Sequence, residues 1–184
     1  MGDKIDNMQS NAPLSMVSAN GALSLPMVAI LNSGFDFSEE SLKRSRWVPY
    51  TTNWLTRIAA FASGIKQGSR VAAMVMGRYI IHNNNTSRSL NAWFALVCHE
   101  QSHRSEVGLH GGLWFYIKYL LQGLKYKYRD IPTEVTAYSL QEKALQLSYA
   151  NNSEVLNILQ SKELTDAEKC EMLVTIGKRF RARM

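Results

Sequence analysis

The chain carries the sequence HEQSH at residues 99–103, and most of what can be predicted about its architecture and chemistry follows from it. The surrounding residues favour an α-helix from about residue 89 to residue 105, with Ser87 or Ser89 as the N-cap. Residues four apart on a helix lie one turn apart on the same face, so His99 and His103 can bind one tetrahedral zinc ion. Glu100 is rotated by about 100° around the helix axis and can reach a water molecule on that ion. The pattern predicts two zinc ligands and a base.

The predicted helix turns both histidines towards the core. Stepping back from His99 by three residues and then by four reaches Leu96 and Ala92, which are both apolar. Two imidazoles and a carboxylate on an apolar face are costly to bury without a partner, and a metal ion supplies one. The alternative is a pair of ordinary buried histidines that bind no metal.

A catalytic zinc ion takes three protein ligands and leaves its fourth position to water, so a third ligand is needed. We expect Glu134, in the first turn of a helix predicted from Pro132 towards Tyr149. The helix that precedes it is long enough to return the chain to the histidines. His110 does not stand where the longer motif HExxHxxGxxH requires a histidine. The alternatives for the third ligand are His110, Asp130, Glu106 and Glu142.

Periodic patterns on either side of the motif predict further elements. Residues 70–82 are β-branched or apolar and are interrupted by Gly77, which indicates one or two short strands. A helix is predicted after Gly112, with an apolar face formed by Leu113, Ile117, Leu120, Leu121 and Leu124. Other helices are predicted over residues 54–65 and from a capping box at residues 165–168. The fold class is therefore α+β, predominantly α-helical, with a short strand or small sheet before the HEQSH helix.

Residues 70–138 resemble the small bacterial zincin-like domains. In those domains a short strand with a glycine, here residues 76–81, precedes an HExxH helix. A linking helix then leads to a Pro-x-Glu-x-x-Ala-Tyr segment, here residues 132–138. The resemblance implies a zincin-like, gluzincin-like fold in which His99, His103 and Glu134 bind zinc and Glu100 is the general base. It also implies that a strand near Ile80 lines the substrate cleft.

Such a site predicts a zinc-dependent metallopeptidase, a hydrolase of bacterial or phage type that acts on a peptide or protein substrate. Glu100 would take a proton from the zinc-bound water and pass it to the leaving amine. An additional donor to the developing oxyanion is usual, and the candidates are Tyr138, His110, His82 and Arg104. Cys98, beside the motif, is expected to be a buried packing residue.

Two other functions are compatible with the pattern. A non-catalytic helical interaction protein would use the zinc ion only to hold its helices together, and a fourth ligand such as His110 or Cys98 would indicate it. A surface-binding module would dock on a membrane or a partner through the basic tail or the helix at residues 54–65. The intact Glu100 favours the enzyme, because a purely structural zinc site has no use for a base there.

The composition limits the partners of the chain. Its 184 residues suffice for one domain with a substantial core. The net charge of +6 comes from 21 basic and 15 acidic residues, but four of the bases lie in the last seven positions, which leaves 17 against 15 and so +2 elsewhere. No broad basic face is expected, and this disfavours nucleic acid as a partner. Two cysteines cannot form a disulfide framework, which fits a reduced compartment.

We divide the chain into an irregular N-terminal arm at residues 1–35, a zincin-like domain at residues 36–150, and a C-terminal helical extension with a basic tail at residues 151–184. An arm that lay in the cleft would hold the enzyme latent. The N-terminus lacks the pattern of a secretory signal, and no stretch approaches the about 20 apolar residues of a transmembrane helix. We therefore expect a cytoplasmic protein, with non-classical export also compatible, and leave its oligomeric state open.

Overall fold

A computed structural model describes residues 13–51, 72–83, 88–149 and 154–184. In chain order the elements are α1 (Leu25–Phe35), α2 (Glu39–Arg44), β1 (Arg46–Pro49), β2 (Ala73–Met76), β3 (Tyr79–His82), α3 (Leu90–His110), α4 (Gly112–Lys125), a 3-10 turn (Tyr128–Asp130), α5 (Pro132–Tyr149), α6 (Glu154–Gln160) and α7 (Asp166–Arg181). The fold is α+β and predominantly helical with one small sheet, as predicted from the sequence. The helix predicted over residues 54–65 lies outside the described residues.

The sheet has three strands in the order β1-β3-β2. β2 and β3 form an antiparallel hairpin that pairs Met76 with Tyr79, and β1 lies parallel to β3 on its other side. Gly77, in the two-residue hairpin loop, has a φ of 59°, a conformation that glycine adopts without strain. The prediction of short strands interrupted by Gly77 is confirmed. The sequence did not predict β1, because a four-residue strand that ends in proline carries too little alternation to stand out.

The two helices that carry the predicted metal ligands pack against each other. Helix α3 begins at the predicted N-cap, where the Ser89 hydroxyl accepts a hydrogen bond from the Ala92 amide at 3.3 Å, and it continues past residue 105 to His110. Helix α5 begins with Pro132 and runs to Tyr149, as expected. It packs along α3 through small and apolar side chains, including the fully buried Ala137 and Ala144.

The N-terminal segment contains a helix, so the prediction of an irregular arm over residues 1–35 is wrong for part of it. The described part begins with turns, but Leu25–Phe35 forms helix α1. Ser24 caps this helix by accepting a hydrogen bond from the Met27 amide, and proline stands in the first turn. Most of its side chains are buried, so the segment is apolar on nearly all sides and shows no helical period in the sequence.

The helix predicted after Gly112 is confirmed as α4, but the apolar face that its sequence spacing indicates is exposed, at 77% for Leu113 and 80% for Leu124. Phe115, which is 4% exposed, and the partly buried Tyr116 and Tyr119 pack inward instead. The helix has two apolar faces, and the aromatic face is the one that the surrounding elements cover.

The C-terminal part packs on the N-terminal helix. The predicted capping box is confirmed, because the Thr165 hydroxyl accepts from the Glu168 amide while the Glu168 carboxylate accepts from the Thr165 amide. Helix α7 lies against α1, and Gly177 closely approaches Ser33 and Gly34 there. One hydrophobic core includes residues from Met16 to Ile176. Among the described helices, none combines the length and the apolar character that a span of a lipid bilayer requires.

Candidate metal centre

The structure brings together the three side chains predicted to bind metal. His99 and His103 lie one turn apart on α3, and Glu134 lies in the first turn of α5. The Nε2 atoms of the two histidines are 3.2 Å apart, and the Glu134 carboxylate oxygens lie 3.5 Å from Nε2 of His99 and 3.4 Å from Nε2 of His103. The residues His99, His103 and Glu134 are 6%, 7% and 2% exposed. The packing of α5 on α3 thus brings side chains together that are distant in the sequence.

These three side chains can hold a metal ion. Ligands at about 2.0–2.1 Å from a tetrahedral ion lie about 3.3 Å from one another, which matches the three separations observed here. Without an ion, the two facing Nε2 atoms share at most one proton, and Glu134 Oε2 is buried with no hydrogen-bond partner among the described residues. An ion between the three groups would satisfy all of them at once.

The charges of the cluster shift its pKa values in opposite directions. Burial acts to raise the pKa of Glu134, but interactions with His103 and His99 outweigh it and hold the pKa well below the usual range. Burial acts to lower the pKa of His103, and the interaction with Glu134 together with the nearby charge of Glu100 outweighs it and raises the pKa. The Tyr119 hydroxyl donates to Glu134 Oε1 at 2.7 Å. Glu134 is therefore held ionised and oriented, as a ligand requires.

Glu100 lies beside the three candidate ligands and is 4% exposed. Burial raises the pKa of its carboxyl group, and the neighbouring His103 and His99 partly offset the rise. A carboxylate with a raised pKa takes up a proton more readily near neutral pH than an exposed one does. This is the property expected of a general base.

The site opens into a cavity of about 490 Å³. Its walls come from β2, α3, α4, the segment after α4, and the start of α5, and they are mostly apolar. The lining residues are Ala73, Met74, Val75, His99, Glu100, His103, Phe115, Tyr116, Tyr119, Gly123, Tyr126, Tyr128, Ile131 and Glu134. The candidate ligands and Glu100 thus share one cavity with space for a further molecule.

The strand that lines this cavity is β2, whereas the resemblance had implied a strand near Ile80. Ile80 belongs to β3, the central strand, and is fully buried. β2 forms the edge of the described sheet next to the cavity, and Ala73, Met74 and Val75 line it. The described residues thus place the edge strand of the sheet, and not its central strand, against the cavity.

Three of the four residues predicted as oxyanion donors, Tyr138, His82 and Arg104, do not line the cavity. The Tyr138 ring packs at 4.9 Å from the His99 ring, and His82 is buried between Trp47 and Trp93. Arg104 also stands outside the cavity lining, and the side chain of His110 lies outside the described parts. Cys98 is fully buried in the hydrophobic core, as expected for a packing residue.

The candidate ligands Asp130, Glu106 and Glu142 are not in the cluster of possible metal ligands that the described residues form. Three tyrosines that the sequence did not single out, Tyr119, Tyr126 and Tyr128, line the cavity instead. One signal was present: tyrosines at positions 126 and 128 stand just before the Pro132 helix start, where the chain must return to the histidines. The aromatic face of α4 was missed because the leucines at helical spacing predicted a different apolar face of the helix.

Comparison of the chain with models of known protein families, with curated proteins and with solved structures finds no match. The geometry and chemistry of the site are therefore the basis for inferring what the protein does.

Proposed function

We propose that this protein is a zinc metallopeptidase of zincin-like fold that hydrolyses peptide bonds. The observation that carries the proposal is the shared cavity: His99, His103 and Glu134 form one part of its wall, and Glu100 stands beside them. Two imidazoles and one carboxylate form a ligand set that zinc takes in catalytic sites, with its fourth position open. The cavity supplies space for a substrate at that position.

The side chains divide the chemistry between them. Zinc, when bound, lowers the pKa of a water molecule and polarises the scissile carbonyl group. Glu100 takes a proton from the attacking water and delivers it to the leaving amine. Tyr128 lines the same cavity, and its hydroxyl, which is protonated near neutral pH like that of any tyrosine, can donate a hydrogen bond to the developing oxyanion.

The edge strand supplies a means of binding a peptide. The Tyr116 hydroxyl donates to the Val75 carbonyl at 3.1 Å and accepts from the Gly77 amide at 3.0 Å, so α4 is bonded to the backbone at this end of β2. An extended peptide can pair with the outer edge of β2 before it reaches this tyrosine. Tyr116 then limits how far the peptide extends along the strand.

The alternative of a structural zinc site is less well supported. Structural sites are closed by four protein ligands, whereas the cluster has three among the described side chains and borders a cavity. A buried Glu100 next to a closed site would have no role. Cytoplasmic location and the lack of a nucleic-acid partner stay predictions.

The first test measures zinc per chain by elemental mass spectrometry in the native protein and in variants. We expect about one zinc ion in the native protein and a marked loss in His103→Ala and in Glu134→Ala. Glu142→Ala is the matched control, because Glu142 is an exposed glutamate on the same helix α5 and should not affect the metal. Full zinc in Glu134→Ala would remove Glu134 from the ligand set.

The second test asks for activity on a mixture of peptides analysed by mass spectrometry. Glu100→Gln should keep its zinc and lose at least about 100-fold in cleavage rate, since a general base contributes that much. Cleavage that is unchanged in Glu100→Gln would refute the proposed base. A zinc-loaded protein that cleaves no peptide would favour a non-catalytic role.

A further inference from the structure

Helix α4 exposes a continuous apolar face, which we call the outer face of α4. It consists of Leu113, Trp114, Ile117, Leu120, Leu121 and Leu124. Leu120 is 67% exposed and Leu121 is 58% exposed, and the residues follow each other at helical spacing along the whole helix. Single exposed leucines are ordinary on protein surfaces, but a contiguous apolar face of this kind indicates an interaction site.

The rest of the described fold holds the outer face towards the solvent. On the opposite side of α4, Phe115 is buried, Tyr116 is bonded to the backbone of the β2–β3 hairpin, and Tyr119 donates to Glu134. Turning the helix to bury its leucines would break these hydrogen bonds and expose Phe115. In the part of the chain that the structure describes, the outer face is therefore held outward and exposed.

The charged residues of α4 and of the segment that follows it, up to Arg129, are all cations, and the exposed Asp130 comes next. Residues 107–129 contain four cations, Lys118, Lys125, Lys127 and Arg129, and no aspartate or glutamate. In the part of the chain that the structure describes, none of the four forms an ion pair. Lys125, Lys127 and Arg129 are exposed at the C-terminal end of the helix. A partner of matching chemistry combines an apolar layer with negative charge.

We propose that the outer face of α4 docks on the surface of a bilayer that contains anionic phospholipid. An in-plane helix with leucine and tryptophan on one face and lysine and arginine beside it binds such a surface by burying apolar area and by attraction to the headgroups. Trp114 and the exposed Tyr126 and Tyr128 have side chains that favour the interface between lipid and water. Helix α4 has 14 residues, which is too short to cross a bilayer, so in this proposal it lies on the membrane surface.

A second copy of this chain fits the face less well. A two-fold contact would bring the same cations of both copies to one interface, where like charges repel. An anionic bilayer instead meets the cations with opposite charge. The positive charge of the region around α4 therefore favours an anionic bilayer over a second copy of the chain.

Docking would place the cavity beside the membrane, because α4 forms both the docking surface and a wall of the cavity. Tyr126 and Tyr128, at the end of the helix, line the cavity and are exposed. This step rests on the proposed peptidase function. For a peptidase, a cavity beside the membrane indicates that the substrates are peptide segments that lie at a membrane surface. The docking itself requires no catalytic activity.

The experiment is co-sedimentation of the full chain with vesicles of phosphatidylcholine alone and of phosphatidylcholine mixed with phosphatidylserine. We expect binding to the mixed vesicles that weakens as salt is raised, and little binding to phosphatidylcholine alone. Leu120→Gln should weaken binding by at least about tenfold, because the bilayer would bury Leu120 and its transfer free energy would be lost in the variant. Leu14→Gln is the matched control, because Leu14 is 74% exposed and lies before helix α1, outside the outer face of α4. This variant should bind like the native protein.

Two further measurements keep the docking separate from the catalysis. Glu100→Gln should bind the vesicles as the native protein does, and Leu120→Gln should keep its zinc and its helical circular dichroism. Binding that is equal with and without phosphatidylserine, or equal in Leu120→Gln and the native protein, would overturn the proposal. So would a native dimer in analytical ultracentrifugation that Leu120→Gln converts to a monomer while no vesicles are bound.

Discussion

Among single residues, Glu134 is the side chain on which the candidate metal centre depends. It faces both imidazoles and accepts a hydrogen bond from Tyr119, which lies on the preceding helix α4. Side chains that hydrogen-bond to a metal ligand fix its orientation and raise its affinity for the ion. We therefore predict that Tyr119 positions Glu134 for metal binding.

Tyr119→Phe tests that role by removing one hydroxyl and leaving the ring. We expect the affinity for zinc to fall by at least about tenfold, measured by competition with a chelating dye. Tyr138→Phe provides the comparison, since the Tyr138 ring packs on His99 and its ring contact would survive the change. Equal affinities in the two variants would mean that the Tyr119 hydrogen bond does not position Glu134.

The buried His82 should make the folding stability of the protein decrease in acid. Burial lowers its pKa from 6.5 to about 4, with the charge of Arg88 adding to the effect. The unfolded chain takes up this proton below a pH of about 6.5 while the folded chain does not, so stability falls as the pH decreases towards about 4. The loss from this group reaches about 3 kcal/mol at the lower end.

The measurement for His82 is urea unfolding at a series of pH values from about 7 down to about 4. His82→Phe retains a ring between Trp47 and Trp93 and cannot titrate, so its stability should depend less steeply on pH. Parallel pH profiles in the variant and the native protein would show that His82 is not the group that titrates.

Among the helices, the packing of α7 on α1 depends on Gly177. A Cβ atom there would collide with the side chain of Ser33 and come within 2.9 Å of the Gly34 amide nitrogen. The backbones of the two helices approach each other closely at this point, and a larger residue forces them apart. The crossing of α1 and α7 is thus set by small residues.

Gly177→Ala should destabilise the protein by about 2 kcal/mol in urea unfolding, as overpacking of a tight contact does. Gly123→Ala makes the same change in helix α4, where a Cβ atom meets nothing within 4 Å. That variant should be stabilised by up to about 1 kcal/mol, because alanine favours helix more than glycine does. An unchanged stability of Gly177→Ala would show that the two helices can move apart there at no cost in free energy of unfolding.

For the molecule as a whole, the proposed zinc ion would link α3 to α5 and so stabilise the folded chain. Its ligands come from two helices that the unfolded chain does not hold together, so binding favours the folded state. Zinc at about a thousand times its dissociation constant adds about 4 kcal/mol. The stability of the protein should therefore depend on the metal.

Removal of zinc with a chelator should lower the melting temperature by about 10 °C, followed by circular dichroism. His103→Ala should melt at the same temperature with and without the chelator, whereas Glu100→Gln should respond like the native protein. A native melting temperature that the chelator does not change would argue against zinc as part of the fold.

Much of the local structure could be predicted because it depends on residues a few positions apart. Ser89 caps α3 and Thr165 with Glu168 caps α7, as their spacing indicated. Helical spacing alone also placed His99 and His103 on one face, since four residues make about one turn. Gly77, in the loop between β2 and β3, marked the break between the strands in the same way.

Other features were not predictable, because they depend on contacts between distant parts of the chain. α1 shows no helical period, since it is buried on most sides, and β1 is too short to be recognised without its partner β3. An arm in the cleft was a hypothesis, but none of the arm's described residues lines the cavity. Residues 1–12 lie outside the described parts.

Residue spacing was enough to identify the histidine pair, the candidate base Glu100, the helix that carries Glu134, and the α+β class. The sequence predicted Glu134 as the third ligand beside four alternatives, and the folded chain brings Glu134 to the histidines. Two further features became visible only in the folded chain: β2 rather than β3 borders the cavity, and α4 turns its aromatic face inward. The physical reason is that spacing controls which residues share a face of one helix. Only the packing of the whole chain selects which of two apolar faces is covered.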